Sequence, residues 1–183
     1  PARMGLAPGG YGLLTLHRPS NVDDPAVFDR LLDGIAAIAD DVPILFPIHP
    51  RTRPAVAGSL KAGRLEQAGR LRLLEPTGYL EFVGLMENSR VVLTDSGGIQ
   101  EETTILGVPC LTLRENTERP VTVTHGTNAI VGTDPIRMGA AWKTLKSGAK
   151  WAGIPPLWDG QSAVRIVDVL QKKLSATQDP IKS

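Results

Sequence analysis

The feature that most constrains this chain is an apolar run that ends in a glycine turn and continues as a helix. It reads Val91-Val92-Leu93-Thr94, then Asp95-Ser96-Gly97-Gly98, then Ile99-Gln100-Glu101-Glu102. A short apolar, β-branched run bounded by turn residues predicts a buried strand. Gly97 and Gly98 place no side chain between the backbone and anything above the turn. The helix behind them directs unpaired N–H groups and the positive end of its dipole at the same point. That geometry suits a phosphate. Glu102 stands about one helical turn beyond Gly98, where a carboxylate accepts hydrogen bonds from hydroxyls such as those of a ribose. The same pattern also serves as plain strand–turn–helix punctuation, so the surrounding chain has to decide.

The surroundings repeat the alternation. Tyr11–Leu16, Pro43–Ile48, Leu71–Leu74, Val91–Thr94, Val108–Leu113 and Asn128–Val131 read as strands. Between them lie helical patterns. Asp24-Pro25 is an N-cap and N1 pair opening a helix over 25–40, with Val27, Leu31, Ile35 and Ile38 at helical spacing. Helical pieces run to about residue 67, with breaks expected at Pro54 and Gly58. Helices are also expected over 79–86, 98–106, from Asp134-Pro135 to about Leu145, and from Ser162 to Leu174. Residues 114–120 read as a polar loop and 148–160 as a Gly-, Pro- and Trp-containing loop. Residues 1–10 and 175–183 are expected to be loose, leaving a single domain with its core over 11–174.

Strands alternating with helices predict an α/β fold: a Rossmann-like parallel sheet with helices on both faces. Ligands of such sheets sit beyond the carboxyl ends of the strands. The polar clusters fall there: His17-Arg18, His49-Pro50-Arg51, Thr77-Gly78, Asp95–Gly98 and Arg114–Arg119, after the first five strands in turn. This coincidence favours a ligand at the opening turn over mere punctuation.

Each candidate has two readings. His17 either touches a phosphate or leaving group, or is a loop histidine that caps a helix. His49 has the same ambiguity, with Pro50 rigidity as a sufficient structural reason. Arg119 pairs with phosphate or with a carboxylate such as Glu118. Phe82 stacks on a base or belongs to the core. Asp95 is catalytic or anchors the turn. Glu101 and Glu102 point about 100° apart on a helix, so they form no facing carboxylate dyad.

Composition narrows the classes. The 183 residues fit one domain. A net charge of +1 argues against nucleic acid as the dominant partner. No apolar run approaches the ~20 residues needed to cross a bilayer, and Pro1-Ala2-Arg3-Met4-Gly5 has no signal-peptide layout. Cys110 is the only cysteine, which fits a reducing cytoplasm. A chain that begins with Pro is expected to be processed or excised. The scattered histidines and cysteine give no metal-ligand spacing. Neither a Gly-Lys-Ser/Thr phosphate loop nor a Gly-x-Gly-x-x-Gly fingerprint is present. No metal or cofactor is expected.

Taken together, a set of ordered motifs resembles one family. They are Thr15-Leu16-His17-Arg18-Pro19, Pro47-Ile48-His49-Pro50, Tyr79-Leu80-Glu81-Phe82, Thr94–Glu102, Thr117-Glu118-Arg119-Pro120, Gly132-Thr133-Asp134 and Asp159–Ala163. The family is the non-hydrolysing UDP-N-acetylglucosamine 2-epimerases, and the resemblance runs from about residue 11 to 174. It implies one half of a glycosyltransferase-B fold, the C-terminal nucleotide-binding half, with the N-terminal half absent. It implies interconversion of UDP-GlcNAc and UDP-ManNAc by elimination and re-addition of UDP, with the acid/base carboxylates supplied largely by that other half.

By position, the resemblance puts His17 at the diphosphate and sugar, assisting departure of UDP. Ser96, Gly97 and Gly98 would hold phosphate oxygens, and Glu102 the ribose. Arg119 would neutralise diphosphate charge, while Phe82 and Thr77 border the uracil. It also implies a regulatory UDP-GlcNAc site near Arg18 and His49, and a homodimer. The chain departs from many bacterial members at Arg18-Pro19-Ser20, where they carry Arg-Arg-Glu, and at Thr77, often a glutamine. The donor half of a related glycosyltransferase, or a non-catalytic nucleotide-binding module, are the alternatives. An exposed face is expected where the other half would dock.

Overall fold

The computed structural model describes residues 5–148 and 153–176. The expected loose ends at 1–4 and 177–183, and positions 149–152 of the expected loop, lie outside the described residues. The elements in order are β1 (Gly12–Thr15), α1 (Pro19–Val22), α2 (Pro25–Ala39), β2 (Ile44–Pro47), α3 (Arg53–Gly58), α4 (Leu60–Gln67) and β3 (Leu71–Leu74). Then come α5 (Tyr79–Glu87), β4 (Val91–Thr94), α6 (Gly97–Leu106), β5 (Cys110–Thr112), α7 (Pro120–Thr124), β6 (Asn128–Ile130), α8 (Pro135–Lys146) and α9 (Ser162–Ala176).

The six strands form one sheet in the order β3-β2-β1-β4-β5-β6, and every pairing is parallel. The expected Rossmann-like class is borne out. β1 lies between β2 and β4, with Leu13 opposite both Leu45 and Val92. The order of strands therefore reverses at β1/β4, and a crevice opens beyond their carboxyl ends.

Alternate side chains divide the core between two faces, as the period of a strand requires. Leu14, Ile44, Phe46, Val91 and Leu93 pack with Phe28, Leu31 and Ile35 of α2 and with Met138 and Trp142 of α8. Tyr11, Leu13, Leu45 and Val92 pack on the opposite face with Leu85 and Met86 of α5. Leu6 packs against this second cluster, and Gly9 N donates to Asn88 O at 2.8 Å. Gly34 of α2 lies so close to the Met138 side chain that a Cβ would overlap it.

Asp24 caps α2 through Ala26 N and Asp134 caps α8 through Ile136 N, both at 2.8 Å and both with Pro at the first helical position. Two short helices stand where no helix was expected. α1 and α7 also begin with Pro, but behind Arg18 and Arg119, whose side chains make no cap. Without a Ser, Thr, Asp or Asn cap their start carries little sequence signal. Pro54 does not break its helix either. It sits in the first turn of α3, where its missing N–H has no partner to lose, and the break falls at Ser59, which caps α4. α9 is amphipathic: Ile166, Val167, Leu170 and Leu174 are 51–67% exposed, and none joins either core cluster. No described helix is long and apolar enough to cross a membrane.

Candidate functional site

The crevice is built on Asp95, at the end of β4. Its carboxylate has no exposed surface and collects donors from the loop after β1. His17 N reaches Oδ2 at 3.0 Å and Arg18 N reaches it at 2.8 Å. Asn21 Nδ2 adds a third donor at 3.1 Å, and His17 Nδ1 lies 2.9 Å from Oδ1. Burial pushes this carboxyl up, but the hydrogen bonds from the His17 ring, Arg18 N and His17 N outweigh it. Asp95 is held below the ordinary carboxylate value. It anchors the turn and ties β1's loop to β4's. With Nδ1 engaged, His17 keeps Nε2 as its other polar atom.

The turn is fixed from below as well. Thr15 and Thr94 share a hydroxyl contact of 2.8 Å across β1 and β4, and Ser96 N donates to Thr94 Oγ1 at 3.0 Å. Ser96 occupies the N-cap position of α6, yet its side chain makes no cap hydrogen bond. The first-turn N–H groups thus lack the side-chain acceptor that normally occupies a helix start. Neither Gly97 nor Gly98 has a positive φ. Their value lies in close approach. A Cβ on Gly98 would meet nothing within 4 Å, and one on Gly97 would lie 3.6 Å from Glu118 Oε2.

Beside the turn is a cavity of about 240 Å³ lined by residues from four strand ends, including His17, His49, Thr77, Phe82, Ser96 and Ile99. Thr77 Oγ1 is buried without a hydrogen-bond partner. Phe82 both lines the cavity and packs against the core, so its two readings are compatible. The His17 and His49 rings are 5.6 Å apart, and His49 Nδ1 accepts from Arg51 N at 3.1 Å. Glu102, one turn along α6, receives the Tyr79 hydroxyl at 3.4 Å.

The structure does not bring every candidate together. Arg18 opens on a neighbouring cavity of about 370 Å³ with Arg30, Arg114 and Asn116, so Arg18 and His49 line different cavities. Arg119 Nε pairs with Glu101 at 2.8 Å rather than with the Glu118 carboxylate, and its Nη1 donates only to the Glu118 carbonyl, at 3.3 Å. Glu118 is instead taken by Arg114, at 2.6 and 2.8 Å, which holds its carboxyl down to about 2. Asn21 escaped the sequence reading, and Tyr79 and Arg114 entered it only as members of a motif and a polar loop, with no role of their own. Each is a common residue in a polar stretch, and its meaning comes only from a partner brought near by folding. Among the described residues no group of three or more His, Cys, Asp or Glu could hold a metal ion.

A parallel sheet that reverses order beside an uncapped helix start and a glycine turn defines a Rossmann-like α/β domain whose crevice suits an anionic ligand. The chain belongs to the UDP-N-acetylglucosamine 2-epimerase family, whose profile matches residues 2–171. It is 43% identical over 163 residues to a UDP-N-acetylglucosamine 2-epimerase of Methanococcus maripaludis, covering 87% of this chain and 44% of that protein. It is 37% identical over 176 residues to a UDP-2,3-diacetamido-2,3-dideoxy-D-glucuronate 2-epimerase of Pseudomonas aeruginosa, covering 92% and 47%. The Methanocaldococcus jannaschii UDP-GlcNAc 2-epimerase, solved with UDP-GlcNAc and UDP, superposes with a TM-score of 0.77 at 41% identity, covering 88% of this chain and 45% of that one. The chain spans about half the length of the relatives it matches.

Proposed function

We propose that this chain is the UDP-gripping half of a UDP-N-acetylglucosamine 2-epimerase. The observation that carries the reading is the uncapped start of α6 at Gly97-Gly98, set beside an Asp95-held His17 and a cavity with an unpartnered Thr77 hydroxyl. The Ser96 hydroxyl and the N–H groups of Gly97 and Gly98 hold the diphosphate, Ser96 N being engaged by Thr94. Glu102, presented with Tyr79, takes the ribose hydroxyls. Phe82 and Thr77 border the uracil. Elimination puts negative charge on the departing diphosphate, and donors fixed beforehand stabilise that charge without reorganising. His17, its Nδ1 bound to Asp95, offers Nε2 to the bridging oxygen and assists departure. Arg119 supplies a mobile positive charge, exchanging Glu101 for phosphate.

The acid and base that act at the sugar belong to the half that the relatives carry and this chain does not span. Docking of that half covers the apolar stripe of α9, whose exposure fits the expected docking face. The regulatory reading of Arg18 and His49 requires a ligand that bridges two cavities. The sugar assignment rests on the relatives of higher identity. The glucuronate-acting relative supports a second reading in which the same UDP grip serves an acidic sugar.

Calorimetric titration with UDP tests the grip. Binding is expected, with loss on Glu102→Ala and no turnover of UDP-GlcNAc by this chain alone. A folded chain that ignores millimolar UDP overturns the reading. Turnover after mixing with the N-terminal half of the Methanococcus maripaludis relative, using UDP-GlcNAc and the diacetamido uronate in turn, separates the two sugar readings.

A further inference from the structure

We propose that Gln100 and Asn128 are positioning residues, a buried amide pair that sets the backbone of Arg119 for an anionic ligand at the α6 turn. The inference deepens the nucleotide reading and rests on it for the role of Arg119.

Gln100 has no exposed surface and Asn128 is 2% exposed. Asn128 Nδ2 donates to Gln100 Oε1 at 3.1 Å. Gln100 Oε1 also accepts from the Thr117 hydroxyl at 2.5 Å, and Thr117 Oγ1 in turn accepts from Arg119 N at 2.9 Å. The other Asn128 Nδ2 proton goes to Thr122 Oγ1 at 3.0 Å, and the Thr122 hydroxyl donates to Arg119 O at 2.7 Å. Asn128 Oδ1 is locked by the Thr112 hydroxyl of β5 at 2.6 Å. The N–H and the C=O of Arg119 each end on a threonine hydroxyl, and both hydroxyls end on the same amide pair. The Thr117 and Thr122 hydroxyls each donate once and accept once, which sets the direction of both arms, while Gln100 Nε2 is buried without a partner.

The placement makes this more than a packing device. Gln100 belongs to the first turns of α6, the helix whose start forms the phosphate turn. One rigid element thus sets both the N–H groups that would meet the diphosphate and the loop bearing the arginine. Glu101, the next residue, holds the Arg119 side chain from outside at 2.8 Å. The inner contact fixes the backbone, while the outer one is a half-exposed ion pair that a ligand can displace at small cost. An amide suits the inner position. A carboxylate could accept the same two hydrogen bonds but would be a buried charge beneath an anion site.

The test uses the 183-residue chain with Gln100→Met, which keeps the side chain's length and removes its acceptor. Amide exchange without ligand is expected to quicken about tenfold over residues 114–119, and UDP affinity to fall about tenfold, the scale of one lost hydrogen bond. Uridine affinity should stay within about twofold, because uridine lacks the diphosphate. In an Arg119→Ala background, Gln100→Met should weaken UDP binding no further, the signature of two residues acting through one contact. Equal loss of uridine and UDP, additive losses in the double variant, or unchanged exchange in a folded variant overturns the proposal. If the unsubstituted chain binds neither uridine nor UDP, the nucleotide reading fails while the exchange result still decides the positioning. Should Gln100→Met not fold, Thr117→Val cuts the same relay at a less buried hydroxyl and carries the same expectations.

Discussion

The imidazole Nδ1 of His17 lies 2.9 Å from the Asp95 carboxylate, and the same carboxylate receives the backbone N–H groups of His17 and Arg18. One buried acid therefore fixes both the ring and the peptide that carries it. Replacing Asp95 by Asn swaps an acceptor of charge-assisted bonds for an amide whose own N–H₂ faces other donors. A loss of about 2–3 kcal/mol is expected, a fall in Tm of roughly 5–10 °C for a chain this size. Calorimetry should also show weaker UDP binding than His17→Asn, which leaves the anchor in place.

Acid should act through the same residue. The Asp95 carboxyl is held below its ordinary value in the folded chain. Its ionised form therefore stabilises the fold above the unfolded value of about 4 and ceases to do so as pH falls through the lower folded value. Urea midpoints measured from pH 7 downward are expected to drop in that acid window. In Asp95→Asn the curve should start lower and be flatter there.

Gly98 and Gly34 should respond in opposite ways. A side chain at Gly98 meets no protein atom, and a helix start tolerates it, so Gly98→Val should leave Tm within a few degrees and reduce UDP affinity at least tenfold. Gly34→Ala drives a methyl into Met138 across the α2–α8 contact. That overpacking should cost about 1–3 kcal/mol with UDP affinity unchanged once the chain is folded.

Glu102 should report on the ribose alone. Its alanine variant is expected to lose about 1.5–3 kcal/mol of UDP binding, or roughly ten- to a hundredfold. With 2′,3′-dideoxy-UDP the two proteins should bind alike. Tyr79→Phe should cost less, because its 3.4 Å contact with Glu102 is long and exposed.

Cys110 is fully buried in β5, and burial pushes its thiol up to about 12. At pH 8 it stays protonated and shielded, so a disulfide reagent should label the native chain only as fast as it opens. Stoichiometric labelling is expected at once in denaturant.

The alternation of strands and helices was legible because it rests on local pattern. Val91–Thr94 is apolar in a row, and Asp24-Pro25 and Asp134-Pro135 announce helices without help from distant residues. The glycine turn was legible for the same reason. α1 and α7 were not, since Arg18-Pro19 and Arg119-Pro120 lack a capping side chain and their stability comes from packing. His17 kept two readings in the sequence because its partner, Asp95, is 78 positions away. Arg119 suggested a pairing with its neighbour Glu118, but folding brings Glu101 closer to it and gives Glu118 to Arg114. Gln100 looked like an ordinary helix residue, and only the arrival of Thr117 and Asn128 gives it a task.

The central position of β1 also sets an order of events for a chain emerging from a ribosome. β1 precedes both of its partners in the chain, pairing with β2 from Ile44 and with β4 from Val91, so its second neighbour does not exist until Val91–Thr94 has been synthesised. Until then, one edge of this buried strand is unsatisfied, and His17 has no anchor. Parallel pairings of this separation close slowly. The step that finally seats β4 against β1 also delivers Asp95 to His17, so the crevice is completed by the same event that closes the middle of the sheet.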